Sequence, residues 1–286
     1  MNTPIKIYDV FTKIPGKGNP AGVVLDSSGL SDEQMQTVAH ELGYNESAFV
    51  LPSDIADYRI RYFTPKQEVP LCGHATMAAI YGLYESGRID SGIITIETLE
   101  GVLEIEVIKD DDIHIIMQQG SYREIIFDGD RVSLAAAIGI SEQDIDERYP
   151  IVYGSTGLWT LLIPIKSRKS FERMKPHNEL FPEILKQNPR SSVHPFCLDT
   201  YHPECVMHAR HFSSPFSGTV EDSVTGTASG VMGAYYKQYI SNSMDKLTLR
   251  IEQGTEIGKD GIVEVIVPED MRDPVKIIGT AVLSKR

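Results

Sequence analysis

The chain has 286 residues and a formal net charge of -13, and 41% of its residues are hydrophobic. A chain of this length lies where single hydrophobic cores stop growing, so we expect two domains of about 140 residues each. The acidic balance argues against nucleic acid and anionic membrane surfaces as partners, because both would repel the protein.

The first half of the chain opens with a strand, a glycine turn and a second strand. Gly16 and Gly18 mark that turn, which lacks the glycine spacing and the Gly-Lys-Ser/Thr ending of a phosphate-binding loop. Ser31 and Gln34 form a capping box, which predicts a helix from Ser31 to Leu42. The other predicted elements are strands at residues 5–11, 21–25, 47–51, 58–63, 93–107 and 113–117 and a buried apolar helix at 75–84.

The second half repeats the order of these elements. It begins with strands at 151–153 and 158–163 and carries a second apolar helix at 228–239. Further strands are predicted at 193–198, 205–212, 247–252, 261–267 and 275–282. We therefore predict a first domain over residues 1–120 and a second over 121–286, with the option that the last strand, about 275–286, returns to the first domain.

An internal repeat supports this division. The segment Arg61–Pro65 followed by Cys72–Thr76 recurs as Arg210–Pro215 followed by Thr225–Ser229. Each copy runs from an arginine-bearing strand through a turn to the start of a small-residue helix. If the two halves face each other, both helix N-termini converge on one cleft, where amide N–H groups and helix dipoles would receive a carboxylate or another anion.

Five motifs together resemble a known family. They follow one another as Asn19–Ala21, Asn45–Ser47, Phe63–Pro65, Cys72–Thr76 and Glu221–Ala228. This set resembles the signature of the PhzF-like isomerases of phenazine biosynthesis, which lie within the diaminopimelate epimerase fold. The resemblance runs from about residue 8 to about residue 236, and its motifs occur in the family's order.

The resemblance implies an α+β fold with two pseudo-symmetric domains, each a β-barrel-like sheet wrapped around a central helix. It also implies an active site in the crevice between the domains and chemistry without a metal, nucleotide or pyridoxal cofactor. The expected partner is a small carboxylate-bearing substrate, and the expected assembly is a homodimer.

Glu46 is the predicted acid/base. It lies between Asn45 and an apolar strand, where partial desolvation would raise the pKa of its carboxyl group and suit it to taking and returning a proton. The alternative is a solvated loop glutamate without a catalytic role. In the family pattern the glutamate at this place is the proton shuttle.

His74 and Asp222 lie beside the two helix starts and complete the predicted catalytic set. A histidine can hydrogen-bond or protonate a substrate near neutral pH, with a capping or core side chain as the alternative. Asp222 has a helix N-cap as its alternative. The predicted substrate-binding residues are Asn19, Gly73, Gly226 and Thr227. Thr227 stands where the family usually has serine, and Ser223 where it commonly has proline, which affects substrate identity more than chemistry.

The cysteines point to a reducing compartment and exclude one mechanism. Cys72, Cys197 and Cys205 form no small-secreted disulfide framework, and no apolar signal core or membrane span of about 20 residues is evident, so we predict a cytoplasmic protein. Related racemases use two thiols, but the repeat aligns Thr225 with Cys72, and a threonine hydroxyl is not appreciably ionised at neutral pH. We therefore interpret Cys72 as a small buried residue.

A group of histidines and cysteines raises the question of a metal site. His194 and Cys197 lie on one predicted strand, and Cys205 and His211 lie on the next. Alternation therefore sends neighbours to opposite faces, and no close Cys-x-x-Cys or His-x-x-x-His pair forms. The group consists of His194, Cys197, His202, Cys205, His208 and His211. We predict no metal site.

The sequence thus favours an isomerase that moves a proton on a small carboxylate-bearing substrate. The intact set of Glu46, His74 and Asp222 favours this function over that of a catalytically silent family member that binds ligands or partners. A zinc-dependent or zinc-stabilised protein is the third alternative, which metal analysis of the purified protein would test.

Overall fold

The computed structural model describes residues 4–285. The first three residues, where the sequence predicts no signal segment, lie outside the described part, as does residue 286. Contacts divide the chain into two compact units, which we call the first unit (Met1–Gln118 with Ile278–Arg286) and the second unit (Gln119–Ile277). The sequence predicts the division after residue 120 and a return of the chain at about 275.

The helices are few and the strands many. The α-helices are α1 (Asp32–Leu42), α2 (Gly73–Glu85), α3 (Arg131–Ala137), α4 (Phe181–Ile184) and α5 (Gly226–Tyr235). Short 3₁₀ helices cover Glu142–Asp144, Arg168–Arg173, Asn178–Leu180 and Thr255–Ile257. The strands are β1 (Lys6–Val10), β2 (Asn19–Val24), β3 (Ser47–Leu51), β4 (Tyr58–Phe63), β5 (Glu68–Val69), β6 (Gly92–Thr98), β7 (Gly101–Lys109), β8 (Ile113–Gln118), β9 (Arg123–Ile126), β10 (Val152–Ser155), β11 (Trp159–Pro164), β12 (Ser192–Cys197), β13 (Met207–Ala209), β14 (His211–Phe212), β15 (Glu221–Asp222), β16 (Leu247–Gln253), β17 (Gly261–Val267), β18 (Lys276–Gly279) and β19 (Ala281–Leu283).

In the first unit a sheet wraps around α2. Its order is β19, β1, β2, β3, β4, β6, β7 and β8, with β5 as a third partner of β4. Helix α2 contacts β1, β2, β3, β8 and β19, and its side chains from His74 to Ile80 are all buried. An apolar sequence on every face is therefore required, and each large buried side chain contributes about 1.5–3 kcal/mol.

Helix α1 lies outside this core and has an amphipathic sequence. The Ser31 hydroxyl accepts the amide N–H of Gln34, whose side chain accepts the N–H of Ser31, so the predicted capping box is confirmed. The helix buries Met35 and Ala39 in a small apolar cluster that also contains Phe49. One face of α1 is thus enough to attach it to the sheet.

The second unit repeats the pairing order of the first. In the first unit β1 to β2 is antiparallel, β2 to β3 parallel, β3 to β4 and β4 to β5 antiparallel, β4 to β6 parallel and β6 to β7 antiparallel. In the second unit the same order runs through β10, β11, β12, the pair β13 and β14, β15, β16 and β17. Helix α5 takes the place of α2 and contacts β10 and β17. The predicted α+β fold of two pseudo-symmetric halves, each a sheet around a central helix, is confirmed.

Two predicted elements of the second unit differ from the structure. The single strand predicted at 205–212 is two short strands separated at Arg210, whose guanidinium donates to the carbonyl oxygens of Phe171 and Met174. Cys205 lies before the first of them. The helix predicted at 228–239 starts two residues earlier, and after Tyr235 it continues as a π-helical turn over Tyr236–Ser241.

Candidate active site

Glu46 and His74 come together in the first unit. Glu46 immediately precedes β3, and His74 is the second residue of α2, which packs against β3. The Nε2 atom of His74 lies 3.7 Å from Oε2 of Glu46, and the two side chains are 8% and 25% exposed. The Glu46 side chain is thus partly desolvated as expected, and it faces an ionisable partner.

Cys72 lies on the other side of the same imidazole. Its Sγ atom is 3.4 Å from Nδ1 of His74, and the residue is half-buried rather than fully buried as the sequence predicts. Cys72 occupies the N-cap position of α2 without a side-chain capping hydrogen bond. The imidazole therefore has a thiol beside one nitrogen and a carboxylate beside the other.

A buried hydrogen-bond network holds the start of α2. The Thr76 hydroxyl donates to the carbonyl oxygen of Cys72 over 2.8 Å and lies 2.6 Å from the hydroxyl of Tyr62. Burial raises the pKa of Tyr62, so its hydroxyl stays protonated and available for this bond. A Cβ at Gly73 would meet no heavy atom within 4 Å, so the first turn of α2 has open space beside it.

Asn19, the remaining predicted residue of the first unit, begins β2. Its side chain is buried, and β2 pairs in parallel with β3 so that Gly22 lies opposite Ser47. Asn19 is therefore on the strand next to the one that Glu46 precedes. Its predicted role in substrate binding stays a prediction.

Asp222 belongs to a second polar cluster, at the start of α5. The Thr225 hydroxyl donates to Oδ2 of Asp222 over 2.6 Å, and the Gln253 side-chain amide donates to the carbonyl oxygen of Asp222 over 2.8 Å. The Thr225 amide in turn donates to Oε1 of Gln253 over 3.2 Å. The N-cap position of α5 is occupied by Thr225, so Asp222 acts through that residue and is not the cap itself.

The two other predicted residues of the second unit, Gly226 and Thr227, form the first turn of α5. The carbonyl oxygen of Thr227 accepts the hydroxyl of Thr156 over 3.3 Å. The predictions from sequence did not include Thr225 and Gln253 as partners of Asp222. The Gln253 contact joins residues 31 positions apart, so no local pattern could indicate it.

A buried histidine pair lies next to Asp222, and the sequence did not predict this contact. His211 pairs with Asp222 across the hairpin, and its Nδ1 is 2.9 Å from Nδ1 of His194. Burial lowers the pKa of both rings, with the charge of Asp222 opposing it for His211. Alternation along each strand says nothing about such a contact, because it forms between neighbouring strands.

The other members of the histidine and cysteine group are dispersed. His208 lies between Glu252 and Glu256, His202 lies 3.1 Å from Asp260, and the Cys197 thiol donates to the carbonyl oxygen of Asp199. Within residues 4–285 this group forms no set of three ligand atoms close enough for one metal ion. The helices in the same range also fall short of the length and apolar character needed for a bilayer crossing.

Comparisons with known proteins agree with this architecture. Over residues 8–286 the chain matches the family described as phenazine biosynthesis-like protein, PhzC-PhzF. A Bacillus subtilis (strain 168) protein named an uncharacterized isomerase is 50% identical over 281 residues, covering 97% of this chain and 95% of that protein.

Solved structures extend the similarity to the fold. The crystal structure of the Bacillus anthracis phenazine biosynthesis protein of the PhzF family has a TM-score of 0.96 at 48% identity, covering 98% of this chain and 96% of that one. A predicted epimerase from Pseudomonas aeruginosa has a TM-score of 0.82 at 27% identity, with coverage of 98% and 96%.

These similarities extend over almost the whole chain, at identities well above those that show a fold alone. The relatives carry the names of isomerases, and one that of an epimerase. The chain therefore belongs to the phenazine biosynthesis-like, or PhzF, family and is an isomerase.

Proposed function

We propose that this isomerase moves a proton on a small carboxylate-bearing substrate by acid/base catalysis, without a cofactor. The observation that carries the proposal is the pairing of Glu46 with His74. His74 lies at the start of the buried helix α2, and its Nε2 atom is 3.7 Å from the Glu46 carboxylate. Glu46 is the group that takes the proton from carbon and returns it.

His74 is suited to hold the substrate while the proton moves. Its Nε2 atom is buried and makes no hydrogen bond within residues 4–285. Burying a polar atom without a hydrogen bond is costly, so a substrate group that bonds to Nε2 would gain binding energy. In this role His74 donates to or accepts from an oxygen of the substrate near Glu46.

The first turn of α2 supplies a place for the carboxylate. The amide N–H groups of a first helical turn have no partner within the helix, and together with the helix dipole they favour an anion there. Gly73 leaves space for its approach. From the internal repeat we propose the same anion-binding role for the amides of Gly226 and Thr227. That both helix starts serve one cleft, with Asp222 as a third catalytic residue and Asn19 contacting the substrate, stays a prediction from sequence.

The test is hydrogen exchange at carbon. Small carboxylic and amino acids are incubated with the protein in deuterated water, and deuterium incorporation is measured by mass spectrometry. We expect incorporation with the wild type and with Glu41→Gln, an exposed control from the preceding helix, but not with Glu46→Gln. Exchange that survives in Glu46→Gln would assign the base to another group.

A catalytically silent protein would behave differently in the same experiment. It would bind carboxylates without exchanging their carbon-bound hydrogen, so binding measured by calorimetry together with no deuterium incorporation would favour that function. The cytoplasmic location and the homodimer stay predictions, and light scattering of the purified protein tests the dimer.

A further inference from the structure

Three side chains of different chemistry meet at the start of α2. Glu46, Cys72 and His74 each offer one ligand atom, and these oxygen, sulfur and nitrogen atoms all lie within 4.8 Å of one another. Within the described residues this is the one group of three that meets such a distance limit. None of the six histidines and cysteines between His194 and His211, which the sequence raised as metal ligands, belongs to this group.

The spacing within this group is compared with the ligand spacing around a tetrahedral metal ion. Zinc binds sulfur at about 2.3 Å and nitrogen or oxygen at about 2.0–2.2 Å, so ligand atoms at tetrahedral angles are roughly 3.3–3.7 Å apart. An ion takes one nitrogen of an imidazole, and the Glu46 carboxylate lies 3.7 Å from Nε2, at the upper end of this range. The Cys72 sulfur is 3.4 Å from the other nitrogen, Nδ1, and the three ligand atoms lie within 4.8 Å of one another. Side-chain rotation has to bring the Cys72 sulfur and the Glu46 carboxylate to the same nitrogen for one ion to contact all three residues.

A second observation points to an occupant of this cluster. His74 is 8% exposed, and its Nε2 atom is buried without a hydrogen bond inside residues 4–285. That atom is directed towards Glu46, at a distance longer than a hydrogen bond. An imidazole nitrogen that is buried without a hydrogen bond is an available ligand for a borderline-soft metal ion.

We propose that Glu46, Cys72 and His74 form a binding site for a thiophilic divalent metal ion, with Zn²⁺ as the probe. Three protein ligands leave the fourth tetrahedral position for water. Binding displaces the thiol proton of Cys72 into solvent, and the resulting thiolate and the Glu46 carboxylate together balance the charge of the ion.

The metal is an inhibitor here and not a cofactor. An ion bound to Glu46 and His74 occupies both groups to which the proposed function assigns proton transfer and substrate binding. We therefore expect Zn²⁺ to compete with the substrate, a consequence that rests on the proposed function. Metal binding itself does not rest on it and can be measured without turnover.

Cobalt provides a direct spectroscopic test with the metal-free full-length protein. Co²⁺ bound to a thiolate gives a charge-transfer absorption, which we expect at one equivalent and which Zn²⁺ should abolish by displacement. Cys72→Ser should lose this absorption, whereas Cys205→Ser, a buried cysteine elsewhere, should keep it. Absence of the band from the wild type, or its persistence in Cys72→Ser, would overturn the proposal.

Two further variants test the other ligands by competition with a zinc chelator. His74→Gln and Glu46→Gln should each weaken Zn²⁺ binding at least about tenfold, and the exposed control His40→Gln should not. Unchanged affinity in His74→Gln would also overturn the site. If metal binding fails while Glu46→Gln still abolishes deuterium exchange, the metal site is wrong and the proposed function is supported. If the metal binds as expected but Glu46→Gln keeps deuterium exchange, the metal site is supported and the proposed function is wrong.

Discussion

The two units share one topology but differ in the side chains at equivalent positions. Phe63 pairs with Ser47 in the first unit and Phe212 with Val193 in the second, so Glu46 corresponds to Ser192. The repeat likewise places Thr225 at the position of Cys72 and Thr227 at that of His74. Carboxylate, thiol and imidazole in one copy thus become three hydroxyl groups in the other.

This difference bears on the proposed proton transfer. Hydroxyl groups can bind and orient a substrate, but they do not titrate near neutral pH. Asp222 provides a carboxylate near the start of α5 in the second unit, but this carboxylate accepts a hydrogen bond from the Thr225 hydroxyl. The proposed function therefore predicts that one base in the first unit both removes and returns the proton, on the same face of the substrate, in contrast to two opposed bases.

The largest expected effect is at the equivalent positions Glu46 and Ser192, where the two units differ. Glu46→Gln keeps the shape of the side chain but cannot accept a proton, so deuterium exchange should fall about 10²- to 10⁴-fold. Ser192→Ala removes the matched hydroxyl, which donates to Thr160, and should leave the exchange rate intact. Equal losses in both variants, measured on the same substrate, would mean that both copies take part in proton transfer.

A second matched pair tests how burial changes the value of an ion pair. Arg59 lies opposite Glu97 between β4 and β6, and His208 lies opposite Glu252 at the same register between β13 and β16. The first pair is 3.7 Å apart and partly exposed, whereas the second is 3.0 Å apart with both side chains fully buried.

Removing one partner should therefore have very different costs. Glu252→Gln should destabilise the fold by about 3–5 kcal/mol, because a buried imidazole loses the fully buried one of its two charge partners. Glu97→Gln should cost less than about 1 kcal/mol. Urea unfolding of the two variants measures the difference, and similar midpoints would show that the buried network contributes little.

The pH dependence of stability sharpens the same comparison. Burial lowers the pKa of His208, but hydrogen bonds to Glu252 and Glu256 outweigh it, so the pKa is raised above the ordinary 6.5. For Glu252 burial raises the pKa, but bonds from His208 and the amides of Tyr201 and His202 lower it below the ordinary 4.5. The contributions of His208 and Glu252 to the unfolding free energy are therefore both present between pH 4.5 and pH 6.5.

The His208 contribution is fully present below pH 6.5 and is lost as the pH rises through its raised folded pKa. The Glu252 contribution is present above pH 4.5 and is lost as the pH falls through its lowered folded pKa. We expect the unfolding free energy to decrease as the pH rises above about 6.5, with a smaller slope in His208→Gln. A wild-type slope equal to that of the variant would exclude His208 as its source.

The smallest expected effect concerns the N-cap positions of the two central helices. Cys72→Ser brings the first unit closer to the hydroxyl chemistry of Thr225, and it should retain activity within about tenfold since Glu46 remains. The poorly satisfied hydroxyl should cost about 1–3 kcal/mol, seen in a thermal melt. A dead Cys72→Ser beside an active Glu46→Gln would identify the thiol as the base.

Local signals in the sequence predicted local structure well. The capping box of α1 and the glycine turn at Gly16 and Gly18 both form, with positive φ angles of 90° and 63° at the glycines. The turn needs Gly18 in particular, because a Cβ there would lie 2.1 Å from the carbonyl oxygen of Val10. The repeat predicted the equivalent halves because it records the same strand, turn and helix twice.

Contacts between distant segments could not be predicted in this way. The meeting of His194 with His211 and that of Gln253 with Asp222 depend on which strands become neighbours. The break at Arg210 depends on two carbonyl oxygens more than 30 residues earlier in the chain. Residue types in these segments suggested chemistry, but only the pairing of strands decides which of them meet.

The pairing of β1 with β19 affects the order in which the protein folds. Tyr8 lies opposite Leu283, so the sheet around α2 is completed by strands from opposite ends of the sequence. Strand β19 also contacts α2, and the helix remains uncovered on that side until the last segment arrives. Closing such a long loop is slow, and on the ribosome it must await the synthesis of residues 281–283. The unit that is synthesised first is therefore completed last.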